Sequence, residues 1–90
     1  MEFEWDLEKA ASNLRKHGVS FDEAVEAFTD PRALEILDEV HSVIEIRYRL
    51  IALSSKRLLF VAYTYRTDEI IRIISARKAT PIERRLYQDA

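Results

Sequence analysis

The spacing of the apolar residues changes once along the chain, and this change constrains the fold more than any other feature of the sequence. Between residues 7 and 28, apolar residues recur at positions i, i+3, i+4 and i+7, which is typical of helices with one apolar face. From residue 33 onward they alternate with polar residues or form short continuous runs, as β-strands do. Because an apolar helix face is stable only against another surface, the pattern predicts helices packed on a sheet, an α+β fold.

Two consecutive helices are predicted before residue 30. Asp6 is placed to cap the first helix, since its carboxylate can accept hydrogen bonds from the free N–H groups of the first turn. Gly18, the only glycine, suits a left-handed residue at the end of that helix. Ser20 and Glu23 have the spacing of a capping box for the second helix, which is expected to reach about Thr29. The apolar stripe of the first helix consists of Leu7, Ala10, Ala11 and Leu14, and that of the second of Phe21, Ala24, Val25 and Phe28.

The remaining elements are strands and one terminal helix. Strands are expected at residues 1–5, 33–37, 43–53, 58–66 and 70–76. A second capping box, formed by Thr80 and Glu83 with Pro81 at the first helical position, predicts a short helix at the end of the chain. The predicted order is β-α-α-β-β-β-β-α, with one antiparallel sheet and the two early helices packed on it. Ninety residues accommodate one domain, so residues 1–90 are expected to form a single unit.

The charge is distributed unevenly, although the formal net charge is only −2. Residues 1–39 contain four Lys and Arg against eleven Asp and Glu, whereas residues 40–90 contain ten against five. A basic segment of this kind is typical of a surface that meets a polyanion or an acidic partner. Attraction between the two parts within one small fold is the alternative explanation.

Composition disfavours several classes of protein. The chain has no cysteine, which excludes disulfides and thiolate metal sites. His17 and His41 stand alone, without the spacing of metal ligands, so neither a metal nor another cofactor is expected. The acidic start lacks the apolar segment of a signal peptide, and the apolar runs are too short to span a bilayer. We therefore expect a cytoplasmic protein.

Several short motifs, in the same order, resemble the BrnT toxins. They are FEWD at residues 3–6 followed by Lys9, Asn13 and Lys16–Gly18, FDEA at 21–24, FTDP at 28–31, RIISAR at 72–77, and Glu83 with Tyr87. The resemblance covers essentially the whole chain. One motif departs from the family pattern: where members usually carry Gly-Glu-x-Arg, this chain has Ile44-Glu45-Ile46-Arg47, and a different local backbone is expected there.

The resemblance implies a RelE-like fold and an RNA-cleaving toxin of a type II toxin–antitoxin pair that blocks translation. It also implies a BrnA-like antitoxin with a ribbon-helix-helix domain that dimerises, binds operator DNA and holds the toxin inactive. The expected assembly is a toxin–antitoxin hetero-oligomer, for which two copies of each chain is one arrangement. Such a toxin touches RNA directly, reaches operator DNA only through its antitoxin, and has no membrane partner.

Cleavage of RNA without a metal needs a group that accepts the proton of the 2′-OH, a group that protonates the leaving 5′-oxygen, and cations for the phosphoryl oxygens. Arginine suits the last role because its planar fork donates two hydrogen bonds to one phosphate. The candidates for the reaction itself are Glu45, Arg47, Arg66, Arg77 and Tyr87. Arg66 and Arg77 each end a predicted strand, and adjacent strand ends are expected to gather such cations in a cleft. Tyr87 follows Glu83 by one helical turn and is expected to lean over that cleft.

A second set of residues is expected to bind RNA without taking part in the reaction: Lys9, Lys16, His17, Arg49, Arg72 and Arg84. The candidates also have structural explanations. Glu45 and Arg47 fit the solvated face of a strand. Tyr87 fits packing against the sheet, and His17 fits a charged helix cap. Sequence alone leaves these alternatives open.

Three other functions fit parts of the sequence. A toxin of the same fold that inhibits its target by binding, without cutting RNA, would need the basic surface and no acid–base pair. A nucleic-acid-binding adaptor is disfavoured because no recognition-helix or RNA-binding-module signature is present. An interaction protein whose basic half docks an acidic antitoxin tail is compatible with catalysis, since an inhibitor can cover the cations that would hold RNA.

Overall fold

The computed structural model describes all residues from 1 to 90. The elements are β1 (Glu2–Glu4), α1 (Leu7–His17), α2 (Phe21–Ala27), β2 (Leu34–Asp38), β3 (Arg47–Leu53), β4 (Leu58–Thr67), β5 (Ile70–Lys78) and α3 (Pro81–Asp89). They follow one another in the order expected from the sequence, and the α+β class is confirmed. None of the three helices has the length and apolar composition that crossing a membrane requires.

All five strands belong to one sheet, in the order β1-β5-β4-β3-β2. Antiparallel pairs join β2 to β3, β3 to β4 and β4 to β5, but β1 pairs with β5 in parallel. The expectation of a wholly antiparallel sheet is therefore wrong for the first strand. The two helices carry the chain from β1 at one edge of the sheet to β2 at the opposite edge, so β1 becomes the neighbour of the last strand and not of the next one.

Local hydrogen bonds define both ends of α1 as the sequence indicates. The Asp6 carboxylate accepts from the backbone N–H groups of Glu8 and Lys9, at 2.9 and 3.0 Å. Gly18 is left-handed, with a φ of 68°, and its N–H donates to the Leu14 carbonyl at 2.9 Å. The predicted cap and the predicted left-handed glycine are both confirmed. A residue with a Cβ would be strained at position 18, because L side chains crowd the backbone at this φ.

α2 ends at Ala27, earlier than the expected Thr29, and only half of its predicted capping box forms. The Ser20 hydroxyl accepts from the Glu23 N–H at 3.0 Å. The Glu23 side chain does not return to the cap; it is buried and accepts two hydrogen bonds from Arg57, at 3.0 and 2.8 Å. This ion pair ties α2 to the turn between β3 and β4, and the competing partner explains why the box is incomplete.

β3 begins at Arg47, four residues later than expected. Residues 39–46 form the β2–β3 loop instead, and their alternating pattern is misleading: Ile44 is 99% exposed. The Ser42 hydroxyl donates to the Asp38 carbonyl at 2.6 Å and accepts from the Arg47 N–H at 2.9 Å. These side-chain hydrogen bonds close the loop where the strand ladder would otherwise have continued.

The two faces of the sheet have different coverings. α1 and α2 cover one face, whose core includes Val61, Tyr63 and Ile73 at 0–1% exposure. α3 covers only one end of the other face, where Tyr87 packs with Ile51. Because side chains alternate along a strand, residues that lie between the core positions point to this second face. The part of the second face beyond α3 is open.

A buried asparagine, Asn13, forms hydrogen bonds with the edge of β5 beyond the residues that pair with β1. Asn13 is 6% exposed, and its side-chain amide donates to the Ala76 carbonyl at 2.8 Å and accepts from the Ala76 N–H at 3.1 Å. This pair of bonds replaces the two that a neighbouring strand would make. The same amide donates to the Val19 carbonyl at 2.9 Å, so Asn13 fixes α1 to the sheet.

We predict that Asn13→Ala lowers the free energy of unfolding by about 2–4 kcal/mol, because two buried backbone groups of Ala76 lose their partner. Urea unfolding followed by circular dichroism measures the change. Arg15→Ala, an exposed substitution on the same helix, is the control and should alter stability by about 0.5 kcal/mol or less. Equal stability of the two variants would contradict the role of Asn13.

Candidate functional site

Five arginines from three neighbouring strands lie on the face of the sheet opposite α1 and α2. They are Arg47 and Arg49 on β3, Arg66 on β4, and Arg72 and Arg77 on β5. The strand register puts these residues at positions that alternate with the core residues beneath the helices, so their side chains share one side of the sheet. We call this surface the arginine face.

Three rows of cross-strand partners describe the arginine face. The first row is Asp38, Arg47, Thr64, Arg72 and Glu4; the second is Ile36, Arg49, Ala62 and Ser75; the third is Leu34, Ile51, Phe60 and Arg77. Adjacent rows are about 7 Å apart, since each strand residue advances the chain by about 3.3 Å. α3 packs on the third row, so the first two rows are the open part of the face.

The expectation that strand ends gather Arg66 and Arg77 in one cleft is wrong. β4 and β5 are antiparallel, so their final residues lie at opposite ends of the sheet. Arg77 is opposite Phe60, about 20 Å along β4 from Arg66. Arg66 lies instead beside Arg72, and the Glu4 carboxylate accepts from both guanidinium groups, each at 2.9 Å. The cations therefore extend across the face and do not form a single cluster.

Arg77 has the closest partners of the five. Its two terminal nitrogens donate to the two carboxylate oxygens of Glu83, each at 2.8 Å, and its guanidinium lies 4.1 Å from the centre of the Phe60 ring. Burial alone would raise the pKa of Glu83, but hydrogen bonds from Arg77 and from the Thr80 N–H outweigh it, and that pKa is lowered. Arg77 thus anchors α3 to the sheet while adding charge to the face.

Arg47 and Arg49 lie on the two open rows, and their guanidinium N–H groups make no hydrogen bond within the protein. The Nε atoms of both are buried without a hydrogen-bond partner. Glu45 approaches Arg47 Nε only to 3.7 Å, and Arg49 has no carboxylate within ion-pair distance. The Arg49 guanidinium lies 5.8 Å from the centre of the Phe60 ring. The terminal nitrogens of both side chains also make no hydrogen bond within the protein, and unlike Nε they are not buried, so they are the donors that an anion can reach.

Glu45 lies in the β2–β3 loop and not on a strand, which corrects the interpretation from sequence. Its side chain is 46% exposed and borders two open clefts. One cleft, of about 360 Å³, is also lined by Thr64 and Arg66. The other, of about 440 Å³, is also lined by His41 and Arg47. Glu45 is therefore a carboxylate that can reach solvent, or a bound molecule, next to two of the arginines.

His41, for which the sequence suggests no partner, is paired with a carboxylate. Its Nδ1 lies 2.9 Å from Oδ2 of Asp38, and its backbone N–H donates to Oδ1 of the same residue at 3.3 Å. Asp38 is 9% exposed and begins the first row, opposite Arg47. The signal in the sequence is an aspartate at the end of a strand with a histidine three residues later, a spacing at which the aspartate accepts from the turn that follows it.

Tyr87 is not brought to the open rows. It is 8% exposed, packs with Ile51 and Leu58, and donates its hydroxyl to Asp30 at 2.6 Å. This hydrogen bond and burial both raise the pKa of Tyr87. The expected position over the cleft is not observed, because α3 lies at the opposite end of the arginine face. A role for this hydroxyl in proton transfer has no geometric support in the present arrangement.

The remaining basic candidates divide into three groups. Lys9, Lys16 and His17 line a groove between α1 and β5, next to Ser75 of the second row. Arg49 and Arg72 are on the arginine face itself. Arg84 is exposed on α3, one residue beyond Glu83, which pairs with Arg77. The structure therefore brings two of the six to the face, sets three beside it, and leaves one at its α3 end.

The arrangement provides cations and proton-transfer groups, and no cluster of three or more His, Cys, Asp or Glu side chains that could hold a metal ion. Arginine forks bind phosphate oxygens, and carboxylate and imidazole groups accept and donate protons near neutral pH. Fold and site together define a small α+β protein with a sheet face suited to a phosphodiester.

The chain belongs to the BrnT family. The family described as "Ribonuclease toxin, BrnT, of type II toxin-antitoxin system" matches residues 5–83, which confirms the resemblance seen in the motifs. The protein is thus a ribonuclease toxin of this family, and membership of a type II system implies an antitoxin partner.

A solved structure has the same fold. It is the crystal structure, at 1.1 Å resolution, of the Brucella abortus ribonuclease toxin BrnT, with a TM-score of 0.70 and 22% sequence identity. The alignment covers 89% of this chain and 97% of that chain. The similarity establishes the α+β fold with its mixed sheet. No curated protein sequence matches the chain.

We predict that Glu83→Gln lowers the free energy of unfolding by about 1–2 kcal/mol near pH 7, because the charged hydrogen bonds to Arg77 are weakened. The folded-state pKa of Glu83 is lowered, so its contribution is present above the unfolded pKa of about 4.3 and is lost as the pH falls through the folded value. The difference between the variant and the parent should therefore shrink in acid.

Urea unfolding at about pH 7 and about pH 3 measures this difference. Glu69→Gln, which neutralises an exposed carboxylate in the turn between β4 and β5, is the control and should leave stability nearly unchanged at both pH values. A Glu83→Gln effect that stays the same in acid would show that the ion pair is not its cause.

Proposed function

We propose that this protein is an endoribonuclease that cleaves RNA without a metal and thereby inhibits translation. The observation that carries the proposal is the arginine face, on which five arginines from three adjacent strands share one surface. Membership of a family named for ribonuclease toxins supports the class of reaction. We further propose that the architecture is RelE-like, since helices on one side and an open basic side suit a single-sheet RNA-cleaving domain.

RNA would lie along the first two rows of the face. The terminal guanidinium nitrogens of Arg47 and Arg49 would bind successive phosphates, with Arg72 supplying charge between them and β1. The groove containing Lys9 and Lys16 adjoins the second row and would receive the chain beyond it. In the same proposal His17 extends that groove, and Arg84 contributes charge at the α3 end. Phosphate contacts of this kind bind many sequences, because they do not read base edges.

The reaction itself would take place at the clefts that flank Glu45. Glu45 would accept the proton of the attacking 2′-OH, because it is a solvent-accessible carboxylate beside two arginines. Arg47 and Arg66 each line one of the clefts and would stabilise charge on the phosphoryl oxygens. Arg77 would bind an outlying phosphate and hold α3. For Tyr87 we propose support of α3 through its hydrogen bond to Asp30.

The proposed inhibitor is a BrnA-like antitoxin with a ribbon-helix-helix domain, forming a hetero-oligomer with the toxin, for example with two copies of each chain. An acidic segment of that antitoxin would compete with RNA for the open arginines, since both present anions. Operator DNA would be contacted by the antitoxin alone. Action on RNA in translation places the complex in the cytoplasm in this proposal.

One observation favours an alternative, a toxin that inhibits its target by binding and cuts nothing. Arg66, Arg72 and Arg77 are already paired with carboxylates, so much of the charge on the face is internally balanced. A balanced and ordered surface of this kind suits a protein partner as well as RNA. The two functions differ in whether a general base is needed.

The first experiment measures cleavage of a labelled RNA by the purified toxin in the presence of EDTA. Arg47→Ala should lower kcat/KM by about 10²–10³-fold, because the phosphoryl oxygens lose a preorganised donor. Arg15→Ala removes an arginine of α1 that lies outside the arginine face and serves as the charge-matched control. Loss of cleavage by the parent protein in EDTA would contradict metal independence.

Glu45→Gln separates the two candidate functions. A ribonuclease that uses Glu45 as base should lose about 10²-fold or more in cleavage, and cells that express the variant should grow. A toxin that acts by binding should keep its growth inhibition, because the amide preserves shape and hydrogen bonding. Growth arrest by the variant with intact cellular RNA would overturn the ribonuclease proposal in favour of the alternative.

A further inference from the structure

The pair of Asp38 and His41 has the geometry of an oriented imidazole. A carboxylate only accepts hydrogen bonds, so the 2.9 Å contact between His41 Nδ1 and Asp38 Oδ2 places a proton on Nδ1. The second ring nitrogen, Nε2, makes no hydrogen bond within the protein. The His41 side chain is 65% exposed, whereas that of Asp38 is 12% exposed. One nitrogen is therefore held by a buried carboxylate and the other is accessible.

The β2–β3 loop fixes this pair relative to Arg47. The Ser42 hydroxyl donates to the Asp38 carbonyl at 2.6 Å and accepts from the Arg47 N–H at 2.9 Å. The Asp38 carboxylate also accepts from the His41 backbone N–H, at 3.3 Å. Asp38 is itself the cross-strand partner of Arg47. The imidazole, the carboxylate and the backbone of Arg47 thus belong to one hydrogen-bonded unit, and such preorganisation is what catalytic groups need.

The carboxylate beside the imidazole is held in its charged form. Burial would raise the pKa of Asp38, but hydrogen bonds from the His41 ring and backbone outweigh burial, and the pKa of Asp38 is lowered. Asp38 is therefore ionised beside His41 at neutral pH. The negatively charged Glu45 and the positively charged Arg47 line the same cleft as His41. Arg49 adds positive charge near Asp38.

We propose that His41 is the general acid of the site, which protonates the leaving 5′-oxygen, and that Asp38 is its positioning residue. This inference rests on the proposed ribonuclease function and adds the second proton-transfer group that the reaction requires. The sequence-based candidate for that role, Tyr87, has its hydroxyl bound to Asp30 at the other end of the face. His41 shares a cleft with the proposed base, Glu45.

The proposed cleavage reaction is an internal transesterification. The 2′-oxygen forms a bond to phosphorus while its proton passes to the Glu45 carboxylate. The bond between phosphorus and the 5′-oxygen breaks, and the imidazolium gives its Nε2 proton to that oxygen. The products are a 2′,3′-cyclic phosphate and a free 5′-hydroxyl, with neutral imidazole and protonated Glu45 left in the site. Nothing is oxidised or reduced, and no co-reactant is needed.

The pH dependence of cleavage tests the assignment. In the parent protein log kcat/KM should fall on the alkaline side as the imidazolium is deprotonated. His41→Asn should lower kcat/KM by about 10²-fold or more and remove that alkaline limb. Asp38→Asn keeps an acceptor for Nδ1–H but removes the charge that stabilises the imidazolium, so the limb should move to lower pH. Glu39→Gln, in the same loop, should leave the profile unchanged.

A modified substrate separates a catalytic role from a structural one. In an RNA whose scissile 5′-oxygen is replaced by sulfur, the leaving thiolate has a conjugate-acid pKa of about 8.5 and needs no general acid. His41→Asn should cleave this substrate at close to the parent rate, whereas Glu45→Gln should remain slow on it. Rescue of one variant and not the other cannot arise from misfolding of the loop.

The measurements distinguish a wrong assignment of His41 as the general acid from a protein that is not a ribonuclease. A parent protein that cuts neither substrate refutes the ribonuclease proposal as a whole. A parent that cuts both, with His41→Asn equally slow on both, refutes His41 as the acid and leaves the ribonuclease intact. A His41→Asn variant that keeps the parent rate and alkaline limb on normal RNA also refutes the assignment.

Discussion

The alternation of side chains along β3, β4 and β5 is the constraint on which the structure and its proposed activity both depend. Residues at one set of alternate positions, such as Val61 and Ile73, form the core under α1 and α2. The other set carries the arginines. A shift of one residue in pairing would bury guanidinium groups and expose the core, which burial energy forbids. The same hydrophobic force that fixes the register therefore also holds the cations on one surface.

Much of the fold follows from local chemistry that a sequence displays. The caps at Asp6 and Thr80 and the left-handed Gly18 were predictable because each depends on contacts within a few residues. The parallel pairing of β1 was not, since it depends on which edge of the sheet the helices lead to. The start of β3 could not be predicted, because hydrogen bonds of the Ser42 hydroxyl to Asp38 and Arg47 compete with those between strands. The periodicity of apolar residues does not reveal such competition.

The site was predictable in residue type and less so in arrangement. Arg47 and Arg49 were expected on one side of a strand because alternation is a local rule, and they are found there. The separation of Arg66 from Arg77 follows from strand direction, which spacing along the chain does not encode. The pairing of His41 with Asp38 depends on the turn made by the loop, so an apparently isolated histidine acquired a partner only in three dimensions.

The second row of the arginine face has its smallest side chains next to one another, Ala62 and Ser75, beside Arg49. On one side of them the Phe60 ring and α3 stand higher above the sheet. The second row is therefore lower than the third. We expect a single strand, which is narrower than a base-paired helix, to approach Arg49 more closely here than folded nucleic acid does.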